Sequence, residues 1–249
     1  FMRNKCLELS SHHTSISKSY IDWMQSKTKI KKQSTVAYLT PNPTLPSDID
    51  IQIAKNWWTQ KGIDLGHRKR LVFVGSLSRS FDFSLIKILL DNFRIHSIPI
   101  ELIICGLGEE EKKLKDSFSG YNNVIFPGWI NKYQSDVIFS YSSYMIAPYR
   151  NTADFMDSIP NKIIDSLSRG LPIISTLDGE VKSLIEKNNL GYHLNEESIC
   201  SVFSEVIKKI SNHDDFLRQS GSCLEYFKSN LDYNIVYGNL AEVIENSKN

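Results

Sequence analysis

The start of one predicted helix carries most of the groups in this sequence that favour binding of an anion. Pro160 suits the first position of that helix, because its missing N–H costs nothing there. The backbone N–H groups from Ser158 to Lys162, a run that includes Ile159 and Asn161, then have no acceptor within the helix. Unpaired amides at the positive end of a helix dipole attract phosphate and other anions. The sequence therefore predicts an anion site at this helix start.

Two charged side chains extend the predicted anion site. Lys162 adds a cation, and Asp165 adds, about one turn further on, a carboxylate of the kind that accepts hydrogen bonds from a ribose. One short helix would then hold a phosphate and a sugar hydroxyl. An ordinary capped helix packed on a sheet explains the stretch equally well. We favour a ligand role for Asp165, because an acid one turn into a buried helix needs a partner.

The elements that must position these groups follow from the periodicity of the sequence. Near-continuous apolar strands alternate with amphipathic helices from Leu71 onward, which is typical of a parallel sheet covered on both faces. The predicted fold is therefore α/β and Rossmann-like, with helices on both faces of the sheet and helices alone after residue 196. The predicted strands are 71–75, 100–105, 123–126, 144–147, 171–175 and 191–194. The predicted helices between them are 83–93, 109–118, 131–139, 161–168 and 180–187.

The N-terminal part carries weaker patterns. Short strands are predicted at 14–17 and 36–39, with a helix at 18–25 between them. A further helix is predicted over 48–61, with Ser47 as its N-cap. Two of its acids, in Asp48-Ile49-Asp50, match an Asp-x-Asp metal motif. We reject a metal site there, because acids at a helix start simply favour the positive end of the dipole.

Composition narrows the class of protein. The chain has 249 residues, and 29 Lys and Arg against 28 Asp and Glu give no signal for a polyanion, so nucleic acid is not an expected partner. Its four cysteines are scattered and form no Cys-x-x-Cys, which indicates a reducing compartment without structural zinc or disulfides. Neither a bilayer-spanning apolar run nor a signal-peptide layout is present. We therefore expect a cytoplasmic protein.

A pair of acids at Asp-x7-Asp spacing links the predicted helix to a known family. Asp157 and Asp165 form the pair, which is followed by Gly170 and by the Pro-Ile-Ile run at 172–174. The arrangement resembles the Glu-x7-Glu region of the retaining GT-B glycosyltransferases of family 4. It is most similar to the polysaccharide and O-antigen branch, which often carries Pro-x-Lys-x-x-(Glu/Asp) here. The resemblance covers residues 66–195; both acids are Asp rather than Glu, and the usual Phe-Gly after the first acid is absent.

Two loops that follow predicted strands resemble parts of the family's donor site. In an open parallel sheet, ligands bind beyond the carboxyl ends of the strands. Gly75 lets the backbone approach a ligand closely, and Ser76 and Arg79 are expected to contact phosphate, with a plain surface loop as the alternative. Gly106 and Gly108 form a Gly-x-Gly turn similar to the one beside the nucleotide in the family. A tight turn alone explains that pair equally well.

Three further stretches take their expected roles from the same resemblance. We expect Trp129 to cover the core, with stacking on a base as the alternative, and Ile130 to contact the base through its main chain. Arg150 fits either a diphosphate contact or a surface position. Asp157 resembles the first acid of the family motif, which lies near the donor sugar. Asp165 resembles the second acid, which accepts hydrogen bonds from the ribose.

The resemblance implies a reaction and its participants. The chain would be the nucleotide-sugar-binding half of a glycosyltransferase that moves a hexosyl group from a nucleoside diphosphate to a hydroxyl acceptor, with retention, in surface polysaccharide or glycoconjugate assembly. Asp157, Arg79 and Lys162 would be catalytic, and the other residues of these loops and of the helix start would bind substrate. No metal or other cofactor is expected, since the sugar nucleotide is a substrate. A nucleotide sugar donor and a saccharide or lipid-linked acceptor are the expected partners.

The resemblance also implies a domain organisation. Residues 1–40 would be the remnant of an N-terminal Rossmann domain with its linker, and residues 41–249 the nucleotide-sugar-binding domain, whose terminal helices pack across to the first domain. The chain alone should then bind donor nucleotide and turn over poorly. The basic run 27–32 fits a solvated turn, with peripheral contact to the inner face of a membrane as the alternative. Two other functions stay open: a sugar-nucleotide 2-epimerase of the same fold, and a noncatalytic interaction domain.

Overall fold

The computed structural model describes residues 2–41, 46–66 and 69–246. Within these ranges the chain alternates between strands and helices. The strands are β1 (His12–Ser15), β2 (Gln33–Val36), β3 (Arg70–Val74), β4 (Glu101–Cys105), β5 (Val124–Gly128), β6 (Tyr144–Ala147), β7 (Ile173–Ser175) and β8 (Gly191–His193). The helices are α1 (Met2–Leu9), α2 (Lys18–Gln25), α3 (Asp48–Gln60), α4 (Ser84–Ile95), α5 (Glu111–Ser117), α6 (Lys132–Ser140), α7 (Ala153–Met156), α8 (Asn161–Ser168), α9 (Glu180–Asn188), α10 (Ile199–Ser211), α11 (His213–Asn230) and α12 (Tyr233–Asn246).

Six of the strands form one parallel sheet in the order β5-β4-β3-β6-β7-β8. The chain moves outward from β3 through β4 to β5, and then returns to pair β6 with the other side of β3. The strand order therefore reverses between β3 and β6, and a sheet of this kind opens a crevice at the carboxyl ends of those two strands. Each predicted strand of this sheet is present within about three residues of its predicted bounds, which confirms the Rossmann-like fold class.

Helices cover both faces of the sheet, and each face has its own apolar core. Alternate residues of a strand serve opposite faces, as Val72 and Phe73 of β3 do. The first core lies under α3, α6, α8 and α9, and the second lies under α4 and α10. Helix α8 contributes the buried side chains of Ile163, Ile164 and Leu167 to the first core. The predicted helix over 161–168 is thus confirmed with its amphipathic face.

A small β-α-β unit precedes the large sheet. Strands β1 and β2 pair in parallel, and α2 connects them, with Ser17 as its N-cap. The unit contacts the main domain where the backbone N–H and hydroxyl of Ser19 donate to Glu180 Oε1 at 3.1 and 3.0 Å. Both strands begin two or three residues earlier than predicted, at His12 and Gln33. Helix α1 was not predicted, because it has no buried side chain and so no apolar face to detect.

Of the two acids at the start of α3, Asp50 is a helix-capping group and Asp48 lies in the first turn. Ser47 accepts a hydrogen bond from the backbone N–H of Asp50 at 3.2 Å, and the Asp50 carboxylate accepts one from the backbone N–H of Ser47 at 3.2 Å. This reciprocal pair satisfies amides that the helix leaves without partners. Asp50 therefore has a capping role in the structure.

The terminal helices α10 and α11 contact helices of the large-sheet domain, and their packing across to a first domain stays a prediction. Helix α10 packs on α4 and α11 packs on α8, so both cover the domain that contains the large sheet. The hydroxyl of Tyr144 on β6 donates to Gln219 Oε1 of α11 at 3.0 Å inside this interface.

Among the described residues, helices long and apolar enough to cross a membrane are absent. The basic stretch 27–32 forms an exposed turn, as predicted.

Candidate functional site

Two loops meet at the crevice between β3 and β6. Phe81, in the loop after β3, forms an isolated antiparallel bridge with Tyr149, in the loop after β6. Next to this bridge the backbone N–H of Asp82 donates to the carbonyl of Pro148 at 2.7 Å, and that of Arg150 donates to the carbonyl of Ser80 at 2.9 Å. The two loops are therefore fixed to each other by their main chains at the switch point of the sheet.

Helix α8 begins beside these loops, and its start differs from the prediction. Pro160 is the N-cap, with φ −61° and ψ 141°, and Asn161 is the first helical residue. The prediction of Pro160 at the first helical position is wrong by one residue, because its ψ angle is extended rather than helical. Ile163 donates its N–H to the carbonyl of Pro160 at 2.9 Å, which closes the first turn.

The amides before α8 are only partly available to a ligand. Ser158 donates its N–H to the carbonyl of Phe155 at 3.2 Å and its hydroxyl to the carbonyl of Asp154 at 2.8 Å. Its expected role as a free amide donor is therefore wrong, because the short helix α7 uses that amide. Helix α7 has only four residues and was not predicted. Within the described ranges, the amides of Ile159, Asn161 and Lys162 have no backbone acceptor.

The side chain of Lys162 reaches across the crevice to β3. Its Nζ lies 4.2 Å from the ring centre of Phe73, 4.1 Å from that of Phe81 and 5.3 Å from that of Tyr149. A Cβ atom added at Gly75 would overlap Lys162 Nζ, so only glycine leaves room for the amine there. Burial lowers the pKa of Lys162 to about 7, because a charged amine loses its hydration there.

The Gly-x-Gly turn after β4 packs against the loop after β3. A Cβ at Gly106 would overlap the carbonyl oxygen of Gly75, and one at Gly108 would overlap the carbonyl oxygen of Leu77. The backbone N–H of Leu77 also donates to the carbonyl of Leu107 at 2.9 Å. Main-chain packing thus accounts for both glycines, and their contact with a nucleotide stays a prediction.

Arg79 and Ser76 lie on the exposed rim of the same loop. The Arg79 side chain is 82% exposed, and its Nε lies 3.6 Å from Glu109 Oε1 and 3.4 Å from Glu110 Oε1. Exposed ion pairs of this kind contribute little, so a phosphate could displace them. Arg150 is ion-paired with Asp82 at 2.9 Å and donates to the carbonyl of Arg79 at 3.0 Å, so its role in the structure is to hold the loop.

Ile130 and Asp165 line one cavity of about 400 Å³ beside the end of β3. The Asp165 carboxylate lies 3.8 Å from Arg169 Nη1. Burial raises the pKa of Asp165, and the nearby positive charge of Arg169 opposes that rise. The cavity is lined by Pro41, Val74, Ile130, Asn131, Lys132, Ser135, Asp165 and Arg169.

Trp129 lies outside the apolar core. Its side chain is 66% exposed, whereas that of the next residue, Ile130, is 8% exposed. The expectation that Trp129 covers the core is therefore wrong. Gly128, just before Trp129, has a φ of 90°, in the left-handed region that favours glycine.

Asp157 is exposed at the junction between α7 and the N-terminal unit. The hydroxyl of Tyr20 on α2 donates to the carbonyl of Asp154 at 3.1 Å. Burial, then the carboxylates of Asp154 and Asp157, raise the pKa of Tyr20, which places both acids close to this phenol. Asp157 therefore lies near Tyr20 of the N-terminal unit.

The sequence of residues 68–212 matches the family model described as "Glycosyl transferases group 1". That match covers more than half of the chain. The chain belongs to the glycosyl transferases group 1 family. The resemblance first suggested by the Asp-x7-Asp pair is thus confirmed. No curated protein matches the chain in sequence.

Solved GT-B glycosyltransferases share the fold of this family member. HepE from Anabaena, in complex with UDP and glucose, has a TM-score of 0.71 at 15% identity, over 95% of this chain and 64% of that one. TarM from S. aureus has a TM-score of 0.68 at 8% identity, over 96% and 45%. Sucrose-phosphate synthase from Thermosynechococcus elongatus has a TM-score of 0.71 at 11% identity, over 98% and 60%. The chain therefore spans about half to two thirds of these structures and corresponds to the C-terminal half of a GT-B fold.

Three aromatic residues of this glycosyl transferases group 1 chain were missed by sequence reasoning. Phe73, Phe81 and Tyr149 surround the Lys162 amine, yet they are distant from it in sequence. The available signal was the position of Phe81 and Tyr149 in loops that follow two neighbouring strands.

Among the described residues, groups of three or more His, Cys, Asp or Glu side chains that could hold a metal are absent.

Proposed function

We propose that this chain is the donor-binding half of a retaining glycosyltransferase that uses a nucleoside-diphosphate sugar. The observation that carries the proposal is the position of the α8 start and Lys162 beside Gly75, at the switch point between β3 and β6. Ligands of open α/β sheets bind at such points. The match to glycosyl transferases group 1 supports the reaction, and the UDP bound to HepE supports a nucleotide sugar as the donor.

The nucleoside would occupy the cavity beside β3. Its volume of about 400 Å³ lies within the usual range for ligand pockets. The main chain at Ile130 would contact the base, and the Asp165 carboxylate would accept hydrogen bonds from the ribose. Trp129, exposed on the rim after β5, is available to stack on the base. The pKa of Asp165, which burial raises, would fall again once ribose hydroxyls bond the carboxylate.

The diphosphate would lie at the start of α8. The amides of Asn161 and Lys162 and the helix dipole would face it, and the cations Lys162 and Arg79 would neutralise its charge. These groups are fixed before the reaction, so they would stabilise the negative charge that develops on the departing diphosphate. We propose that they do so without a divalent metal ion. Gly75, Gly106 and Gly108 would let the loop backbones approach the phosphates.

The acceptor would be a hydroxyl of a saccharide or of a lipid-linked sugar, in the assembly of surface polysaccharide or glycoconjugate. The Pro-x-Lys-x-x-Asp pattern from Pro160 to Asp165, typical of that branch of the family, supports this class. Asp157 would lie near the donor sugar, on the side bordered by the N-terminal unit. A cytoplasmic location is part of the proposal, and the four free cysteines are compatible with it.

Calorimetry with UDP, GDP and ADP tests donor binding. We expect one of the three to bind this chain, and Asp165→Ala to weaken that binding by about tenfold or more, because a charged hydrogen bond contributes roughly 1.5–3 kcal/mol. Asp116→Ala is the matched control, since Asp116 is an exposed acid outside the cavity lining. No heat with any of the three nucleotides would overturn the proposal.

Two further outcomes would assign the chain to another function. Epimerisation of a sugar nucleotide at C2 of its sugar, in the absence of any acceptor, would indicate a 2-epimerase. Nucleotide binding that is unchanged in Asp165→Ala would indicate an interaction domain that has lost the family's ribose contact.

A further inference from the structure

The amine of Lys162 lies among three aromatic rings that come from two loops and one strand. Phe73 belongs to β3, Phe81 to the loop after it, and Tyr149 to the loop after β6. The face of an aromatic ring attracts a cation when the charge lies within about 6 Å of its centre, and all three rings meet this distance. That attraction is smaller than the hydration that the ammonium loses on burial, so the pKa of Lys162 still falls. We call these three side chains the aromatic cage.

The cage holds an amine that has no acidic partner. In the part of the chain that the structure describes, Lys162 Nζ forms neither a hydrogen bond nor an ion pair with a side chain. Burial is the cause of its lowered pKa. The phenol of Tyr149 stays neutral, since burial raises its pKa. The amine therefore meets aromatic carbon on several sides and is available to an anion that enters the crevice.

The charged groups on the surrounding elements are already paired or lie elsewhere. On the two loops, Asp82 pairs with Arg150, and Arg79 lies near the acids of the α5 start. On its own helix, Asp165 faces Arg169 and the nucleoside cavity. Asp157, before α8, lies near Tyr20. An arriving diphosphate would thus be the first anionic partner of the amine.

The backbone keeps the cage in place. The Phe81–Tyr149 bridge joins the two loops, and Arg150 pairs with Asp82 across them. The rings of Phe81 and Tyr149 lie 4.7 Å apart, so each supports the other. Gly75 provides the space into which the amine extends. Loss of either ring would admit water to the amine without removing a charge from the site.

We propose that Phe81 and Tyr149 are positioning residues that keep the Lys162 amine poorly hydrated until the donor diphosphate arrives, so that donor binding takes up one proton at Lys162. This inference rests on the proposed function. The proton comes from the solvent: the neutral amine accepts it, and the resulting ammonium pairs with the diphosphate. The aromatic cage makes the charge of Lys162 depend on whether the site is occupied.

Calorimetry in two buffers of different ionisation enthalpy, such as HEPES and Tris, measures the uptake. At about pH 8 we expect the wild type to take up close to one proton on binding the nucleoside diphosphate. Lys162→Arg should remove the uptake, because an arginine is charged before and after binding. Tyr149→Ala and Phe81→Ala should reduce the uptake, because loss of the ring opens the amine to water and a hydrated lysine is already protonated at this pH. Tyr149→Phe, which keeps the ring, should retain it.

A titration of the free protein distinguishes this inference from the proposed function. The ¹³C resonance of the Lys162 side chain, assigned by its loss in Lys162→Met, should have a midpoint near neutral pH in the wild type and in Tyr149→Phe. In Tyr149→Ala, which opens the amine to water, the midpoint should rise by at least about one unit. Thermal unfolding of each variant checks that it is folded. Nucleotide binding without proton uptake, or a midpoint unaffected by loss of the ring, would overturn this inference alone. Absence of nucleotide binding would overturn the proposed function.

Discussion

At the scale of single residues, Lys162 shows how a fold alters the chemistry of a side chain. Helix α8 directs this lysine toward Gly75 and away from the acids of the site, into the aromatic cage. Burial lowers its pKa to about 7, so the folded protein bears a cost whenever the amine is charged. The amine therefore loses its charge readily in the free protein, and an anion that binds beside it favours the charged form.

Replacing Lys162 by methionine should stabilise the free protein in a pH-dependent way. The folded pKa is below the unfolded one, so the penalty is complete below about pH 7 and fades as the pH rises toward the unfolded pKa. Between about pH 6 and pH 9 we expect the stabilisation by Lys162→Met to shrink by roughly 2–3 kcal/mol. Denaturant unfolding at both pH values measures it. Lys112→Met, at an exposed lysine of α5, is the control, and an equal gain at both pH values would contradict the expectation.

Gly106 is a residue whose structural role can be measured apart from ligand binding. Its φ is 136°, and a Cβ there would overlap the Gly75 carbonyl oxygen. We expect Gly106→Ala to destabilise the protein by at least about 2 kcal/mol, since the backbone strain and the overlap add. Gly120→Ala should change stability by less than about 0.5 kcal/mol, because Gly120 is exposed with open space around it. Thermal unfolding in the absence of nucleotide compares them; similar melting temperatures would show that the Gly75–Gly106 contact can relax.

At the scale of elements, the strands and the amphipathic helices were predictable because each carries its own periodic signal. Helix α8 has the bounds that its apolar face predicted. Helix α7 could not be predicted, since four residues define no period. The aromatic cage was missed for a different reason: its residues meet only after β3 and β6 pair and their loops join. The family resemblance predicted the residues of the candidate site, whereas the contacts among them needed the tertiary structure.

The packing of α8 on the sheet can be tested at one position of its buried face. Ile164 is 1% exposed in the first core, so Ile164→Ala removes apolar contacts that little else can replace. We expect a loss of about 2–5 kcal/mol in the free energy of unfolding. Ile88→Ala on α4 is the matched control, because that side chain is 46% exposed. Denaturant midpoints of the two variants that agree within error would show that α8 packs loosely.

At the scale of the whole molecule, the C-terminal helix α11 packs on helix α8, whose start forms part of the candidate site. Helix α11 packs on α8, and a Cβ at Gly170, just after α8, would lie 2.8 Å from Ser220 Oγ. Cys223 and Leu231 are fully buried in the first core, and Gln219 bonds Tyr144 in the middle of the sheet. By contrast, Val236 is the one buried residue of α12. The order of α8, and with it the position of the Lys162 amine, therefore depends on α11 far more than on α12.

Truncation separates these two contributions. A chain that ends before Asp232 loses α12 and should keep a cooperative thermal transition with a moderately lower midpoint, because it exposes little of the first core. A chain that ends before His213 also loses α11, and the buried surface of α8 and Tyr144 would then face water. We expect this shorter chain to lose its cooperative transition, since one such helix buries several side chains worth roughly 1.5–3 kcal/mol each. Circular dichroism melts of the three chains test this order, and a cooperative transition in the shortest chain would show that α11 is dispensable for holding α8.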